Sequence, residues 1–128
     1  MTAGPILLDT DVLVDFLRGY GKAVTFVTEN APRIILSTIV IAELYGGVKG
    51  NTEQTALENF VSLFPAIPVT SRIAMAGGLY KRDYGNSHGV GLADAIIAAT
   101  CESENAELKT LNIKHYPMIK GLKPAYKK

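Results

Sequence analysis

The feature that most limits how this chain can fold is the abrupt change at Leu8–Asp9. The apolar run Pro5-Ile6-Leu7-Leu8 stops at a carboxylate, in Asp9-Thr10-Asp11, before Val12-Leu13 resumes the apolar pattern. So short an uninterrupted run reads as a buried strand rather than a surface one. A buried strand that ends in an acid delivers charge to the carboxyl edge of a sheet. That edge is where open α/β folds bind ligands.

The rest of the chain alternates in the same sense: strand, helix, strand, helices, strand, helix, helix, strand. Thr10 or Asp11 is expected to cap a helix over Val12–Leu17, closed by Gly19 and Gly21. A weak helix covers 22–29, Pro32 breaks it, and Arg33–Ser37 reads as a second buried strand. Thr38 is expected to cap a helix through Glu43, closed by Gly46-Gly47. Leu57, Phe60, Val61 and Phe64 recur at helical spacing in a helix from about 52 to 64. Ile67-Pro68-Val69 reads as a short strand, and its proline argues for an edge. Thr70 opens a helix to about Tyr84, a loop spans Gly85–Gly89, and a helix covers Leu92–Glu104 with Asn105 at its C′ position. Glu107–Leu111 is the last strand. No repeat, linker or low-complexity segment interrupts the pattern, so residues 1–128 are expected to form a single domain.

Composition excludes several classes. At 48% hydrophobic and 20% charged residues the chain can bury a core and is not of the disordered type. No apolar stretch approaches the ~20 residues that span a bilayer, and the N-terminus lacks the features of a signal peptide, so a cytoplasmic location is expected. A single cysteine, Cys101, leaves no internal disulfide and reads as a small helix residue. Net charge is +1, yet no acid follows Glu107, whereas six lysines do: Lys109, Lys114, Lys120, Lys123, Lys127 and Lys128. A basic end of this kind solubilises, and it also steers a polyanion toward a site.

Two further carboxylates break apolar patterns. Glu43 lies in Ile39-Val-Ile-Ala-Glu43-Leu, beside what should be the buried face of its helix, with Gly46 and Gly47 one turn on where another group could approach the backbone. Asp94 stands in the first turn of Gly91-Leu-Ala-Asp94-Ala-Ile-Ile-Ala-Ala, a helix apolar all round and so largely buried. An exposed flank position explains Glu43 equally well, and a cap or dipole partner explains Asp94. Thr110 at the end of the last strand, and Asn112 and His115 just after it, point to the same edge as Asp9, although asparagine there is also ordinary turn chemistry. Three acids from three segments converge only if a cation offsets their repulsion. Mg²⁺ or Mn²⁺ suits such oxygen ligands. Zinc does not, because only His88 and His115 exist and no Cys/His cluster has ligand spacing. There is no nucleophile elbow, P-loop or dinucleotide fingerprint.

Four stretches together resemble the PIN-domain ribonucleases, specifically the VapC-type toxins of toxin–antitoxin pairs. They are Leu7-Leu-Asp9-Thr10-Asp11-Val-Leu, Ile41-Ala-Glu43-Leu-Tyr-Gly46, Gly89-Val-Gly-Leu-Ala-Asp94-Ala-Ile-Ile-Ala-Ala-Thr100 and Leu108-Lys-Thr110-Leu-Asn112-Ile-Lys-His115-Tyr116. They occur in the family's order and cover the chain nearly end to end. The resemblance implies a three-layer α/β/α sandwich with a central, mainly parallel sheet, and metal-dependent cleavage of RNA. It assigns the catalytic and metal-binding acids to Asp9, Glu43 and Asp94, with Mg²⁺ or Mn²⁺ as cofactor, and offers Thr10, Thr110 and Asn112 as substrate-binding groups. Asn112 stands where a family member can carry a fourth acid, a departure that favours one ion over two. Asp11 and Asp15 are expected to be a helix cap and a solvated face. The implied partners are the RNA substrate, a small cognate antitoxin whose tail occupies the acidic groove, and a second copy in a homodimer.

Two other readings compete. The nucleophile motif of haloacid-dehalogenase-type phosphotransferases also begins Asp-x-Asp after a buried strand, but that family places Gly-Thr where this chain has Val12-Leu13. A non-catalytic binding module, weakened at Asn112, is the second.

Overall fold

In the computed structural model, which describes residues 3–128, four parallel strands form one sheet in the order β3-β2-β1-β4. The strands are β1 (Ile6–Leu8), β2 (Ile34–Ser37), β3 (Ala66–Ile67) and β4 (Glu107–Lys109). The helices are α1 (Thr10–Leu17), α2 (Gly21–Asn30), α3 (Thr38–Gly46), α4 (Gly50–Val61), α5 (Ser71–His88) and α6 (Leu92–Glu104). Ile6, Leu7 and Leu8 are all buried. Successive strand residues face opposite sides, so helices must cover both faces of β1. The α/β/α layering expected from the sequence is therefore present.

β1 pairs with β2 on one side and with β4 on the other, in registers Ile6↔Ile34 and Leu8↔Lys109. The chain winds outward from β1 through β2 to β3, then returns across the sheet to β4. Strand order reverses between β1 and β4, and a crevice opens beyond the carboxyl ends of strands at such a point. Asp9 and Thr110 stand at those two ends, and the Asp9 amide continues the ladder to the Lys109 carbonyl at 3.0 Å.

Several local expectations shift. Asp9 itself caps α1, accepting from the Thr10 amide, so the helix starts one residue after the strand and the cap is neither Thr10 nor Asp11. Ser37, rather than Thr38, caps α3 by accepting from the Ile39 amide, and the Thr38 hydroxyl accepts from the Val69 amide instead. α4 begins and ends earlier than its apolar spacing suggested. α5 runs through the expected loop to His88 and stops at Gly89 (φ 65°), the left-handed position that favours glycine. Gly46 and Gly47 merely end α3: a Cβ on Gly46 would meet nothing within 4 Å. The close approach lies elsewhere. A Cβ on Gly77 would sit 2.8 Å from Ile96 Cγ1 and 3.0 Å from Ile96 Cα, so α5 packs on α6 backbone to side chain.

Asp15 is not on a solvated face. It is buried on α1, where the Tyr126 hydroxyl donates to Oδ2 at 2.7 Å and Lys128 Nζ reaches Oδ1 at 3.0 Å. The same C-terminal segment bonds the strand end, Ala125 N to Thr110 O at 3.0 Å, and Lys128 lies over the Tyr20 ring. Residues 124–128 thus strap α1 to the end of β4. Burial raises the Asp15 carboxyl, but the bonds from Tyr126 and Lys128 and the charges of Lys128 and Arg18 outweigh it and hold the group below its usual value of 3.8.

A depressed carboxyl stabilises the fold above its unfolded value, and that contribution is lost as pH falls through the folded value. Tyr126→Phe should therefore lower stability at pH 7 by about 1–2 kcal/mol. As pH falls through the depressed value of Asp15 and the group becomes protonated in both proteins, the difference should shrink; urea melts at pH 7 and at acid pH measure it. Gly77→Ala should destabilise as well. Its gain in helix propensity is about 1 kcal/mol, whereas overpacking against Ile96 costs about 1–3 kcal/mol, so thermal melts should show a lower Tm.

Candidate active site

Asp9 is 6% exposed, and both its oxygens are engaged. Oδ1 accepts the Thr10 amide at 2.8 Å. Oδ2 accepts two hydroxyls, from Thr110 and Tyr116, each at 2.8 Å. The Tyr116 hydroxyl also lies 3.1 Å from Asp94 Oδ1, so one side chain bridges the two acids. His115 Nδ1 stands 3.4 Å from Asp94 Oδ2. Asp94 makes these contacts from the first turn of α6, whose N-cap Gly91 offers no side chain. Its carboxylate turns to Tyr116 and His115 rather than capping the helix, so the cap reading of Asp94 does not hold.

Glu43 is exposed on α3 and joins the group indirectly, accepting the Thr10 hydroxyl at 2.8 Å. The structure thus brings Asp9 and Asp94 together through Tyr116 and attaches Glu43 through Thr10. Among the described residues, no three Asp, Glu, His or Cys side chains stand close enough to hold one ion among them.

Asp11 has a different task from the helix cap expected of it. Its Oδ1 accepts the Val12 amide, while Oδ2 accepts the Leu111 amide at 2.9 Å, Asn112 Nδ2 at 3.1 Å and, at 3.3 Å, the Thr110 hydroxyl. It latches the segment after β4 onto α1. The Asn112 side chain is consequently tied to Asp11, and its backbone amide donates to Thr110 Oγ1 at 3.0 Å. Thr110, wholly buried, accepts that amide and donates toward the acids.

The electrostatics are uncompensated. Among the described residues no Lys or Arg pairs with Asp9, Asp11, Glu43 or Asp94, and the imidazole of His115 is the nearest basic group. Burial first, then the charge of Asp9, raises the Asp94 carboxyl above its usual value, against weaker lowering by Tyr116 and His115. The same two causes raise Asp11. Burial and the two acids push the Tyr116 phenol far above the tyrosine range, so it remains a donor.

This donor set fits a hard divalent cation. It consists of carboxylate oxygens without a counter-charge, and Mg²⁺ needs only one or two carboxylates, keeping waters for the remainder. Asp9 with Asp94 meets that requirement without a third acid in the shell. Cys101 is no competing centre: it is buried in α6, and burial followed by the Asp9 charge pushes its thiol up to about 12.

Tyr116 was not singled out by sequence reasoning, although it sits in the last motif. The available signal was physical: a tyrosine that is buried needs a partner for its hydroxyl, and the acids at the strand ends were the nearest candidates.

The PIN domain family matches residues 6–116. Ribonuclease VapC19 of Mycobacterium tuberculosis is 40% identical over 124 residues, covering 94% of this chain and 98% of the relative. Ribonuclease VapC10 of the same organism is 36% identical over 125 residues, covering 94% and 92%. A toxin–antitoxin complex from Klebsiella pneumoniae superposes with a TM-score of 0.83 at 27% identity, over 96% of this chain and 99% of that one. VapBC2 from Rickettsia felis, bound to a DNA fragment from its promoter, gives 0.75 at 28% identity, over 91% and 94%. The chain belongs to the PIN-domain family and, within it, to the VapC ribonucleases. The haloacid-dehalogenase reading is thereby set aside.

Thr110→Val keeps the shape of the side chain but removes one donor from buried Asp9 and the acceptor of the Asn112 amide. It should lower stability by about 1–3 kcal/mol, read as a drop in the denaturation midpoint with an unchanged m-value.

Proposed function

We propose that Asp9, Glu43 and Asp94 form the centre at which this VapC-family ribonuclease hydrolyses RNA, with Mg²⁺ or Mn²⁺ held by Asp9 and Asp94. The observation that carries this reading is the pairing of two buried or half-buried acids across the β1/β4 crevice, with no Lys or Arg among the described residues paired to them. A divalent ion, when bound, lowers the pKa of an attacking water and stabilises charge on the scissile phosphate.

The chain's own residues supply the rest. Glu43 bonds Thr10 with one oxygen, and its other oxygen, free of protein partners among the described residues, orients the water and takes its proton. The Thr10 hydroxyl fixes Glu43 relative to Asp9. Asn112 and Thr110, both substrate candidates, act differently: Thr110 is buried and orients Asp9, while exposed Asn112 exchanges its bond to Asp11 for one to substrate. Exposed Lys114 beside His115 attracts the RNA backbone, whereas Lys109 and Lys128 are already paired with Glu107 and Asp15.

The protein acts as a toxin within the cytoplasm, as a single domain and a homodimer, and is restrained by a small antitoxin. A groove of about 520 Å³ supports that partnership: Val14, Leu17, Leu44, Val48 and Leu57 line it, together with Glu43 and the cations Arg18 and Lys49. An apolar antitoxin segment fits there, and an Arg or Lys beyond it would meet the acids. Among the described residues, no helix is long and apolar enough to cross a membrane.

Asp9→Asn should abolish cleavage of a defined RNA while leaving the fold intact, because an amide still pairs with hydroxyls that both donate and accept. Circular dichroism checks the fold and a gel assay checks cleavage. Wild-type cleavage by the variant, with contaminating nucleases excluded, overturns the assignment.

A further inference from the structure

We infer that Tyr116 is a positioning residue for the acid pair: its hydroxyl sets the separation of Asp9 and Asp94 and leaves Oδ1 as the Asp9 oxygen presented to a cation. The inference deepens the site reading above and rests on it. Among the described residues, Tyr116 is the one side chain hydrogen-bonded to both acids, at 2.8 and 3.1 Å.

Its own placement does not come from the site. The residue is 1% exposed and belongs to the main core cluster, in contact with the apolar interior. Its amide donates to the Ile113 carbonyl at 3.1 Å, and its carbonyl accepts from Ile119 at 3.0 Å, so the backbone is fixed on both sides. A rigid ring thus holds a hydroxyl between two carboxylates that would otherwise repel each other, one of them on the half-buried first turn of α6.

Counting lone pairs gives the second half. A carboxylate oxygen has about two acceptor sites. Asp9 Oδ2 fills both with the Thr110 and Tyr116 hydroxyls, while Oδ1 uses one for the Thr10 amide. The remaining site on Oδ1 is the place for a cation. Groups that orient metal ligands in this way typically change metal affinity or activity by about 10–100-fold when removed.

Calorimetric titration with Mn²⁺ separates this inference from the site reading. Wild-type protein should bind Mn²⁺ and Asp94→Asn should not. Tyr116→Phe, which keeps the ring, should bind about tenfold more weakly, with a lower kcat and an unchanged KM for RNA. Tyr126→Phe removes a comparable hydroxyl from Asp15 and should keep wild-type Mn²⁺ affinity despite its lower Tm. Wild-type affinity in Tyr116→Phe, or equal losses in both tyrosine variants, overturns the positioning role while the site reading stands. A wild-type protein that binds no Mn²⁺ overturns both. Should Tyr116→Phe fail to fold, the hydroxyl proton of Tyr116 in the wild-type protein decides by NMR. It should shift on adding Mg²⁺ while that of Tyr126 does not, and an unmoved Tyr116 signal rejects the inference.

Discussion

The carboxylate of Asp9 is the constraint around which the rest of this molecule is arranged. It sits at the end of the central strand, almost out of water, without a Lys or Arg partner among the described residues. A charge in that position is tolerable only with hydrogen bonds to most of its acceptor sites. One amide comes from the first turn of α1, and two hydroxyls come from residues a hundred positions later, Thr110 and Tyr116. The fold therefore has to bring the end of β4 and the segment beyond it against β1. Asp11 and the C-terminal strap reinforce that placement, Asp11 by holding Leu111 and Asn112, and the strap through Ala125 and Tyr126.

Positive charge is kept at the periphery. Lys109 turns to Glu107, Lys128 to Asp15, and Arg33 lies near Glu107. The crevice is left with acids whose protons are held more tightly than usual, because burial and the Asp9 charge both oppose ionisation at Asp94 and Asp11. A protein that needed only stability would gain by placing a lysine there or by replacing the acids with apolar groups. The retained tension is what supports the proposal of a cation at this edge, and membership of the VapC ribonucleases gives the class of the reaction.

The architecture was legible because strands and helices differ in period. Ile6–Leu8 and Ile34–Ser37 stand out as short apolar runs, and Leu92–Glu104 with Asn105 was readable to the residue because a left-handed asparagine (φ 51°) closes it. Helix starts were less legible. At Asp9-Thr10-Asp11 and at Ser37-Thr38, several adjacent side chains can cap, and tertiary hydrogen bonds select among them. α5 outran its expected end because half-buried Gly85, with the Lys81 side chain lying over it, is tolerated within the helix, and the chain turns only at Gly89. Asp15 reads as a solvated helix position until the C-terminal segment folds over it.

From the sequence alone came the parallel α/β order, the candidate acids Asp9, Glu43 and Asp94, and the sheet edge proposed as the site. Local pattern suffices for these, since each depends on a few adjacent residues. Tertiary structure alone decided how the acids are joined: Asp9 to Asp94 through the Tyr116 hydroxyl, Glu43 only by way of Thr10, and Asp11 drawn off to hold Asn112. These bonds link residues 22 to 107 positions apart, and no periodicity encodes such pairings. They follow from which core side chains pack together and from the requirement that every buried polar group find a partner.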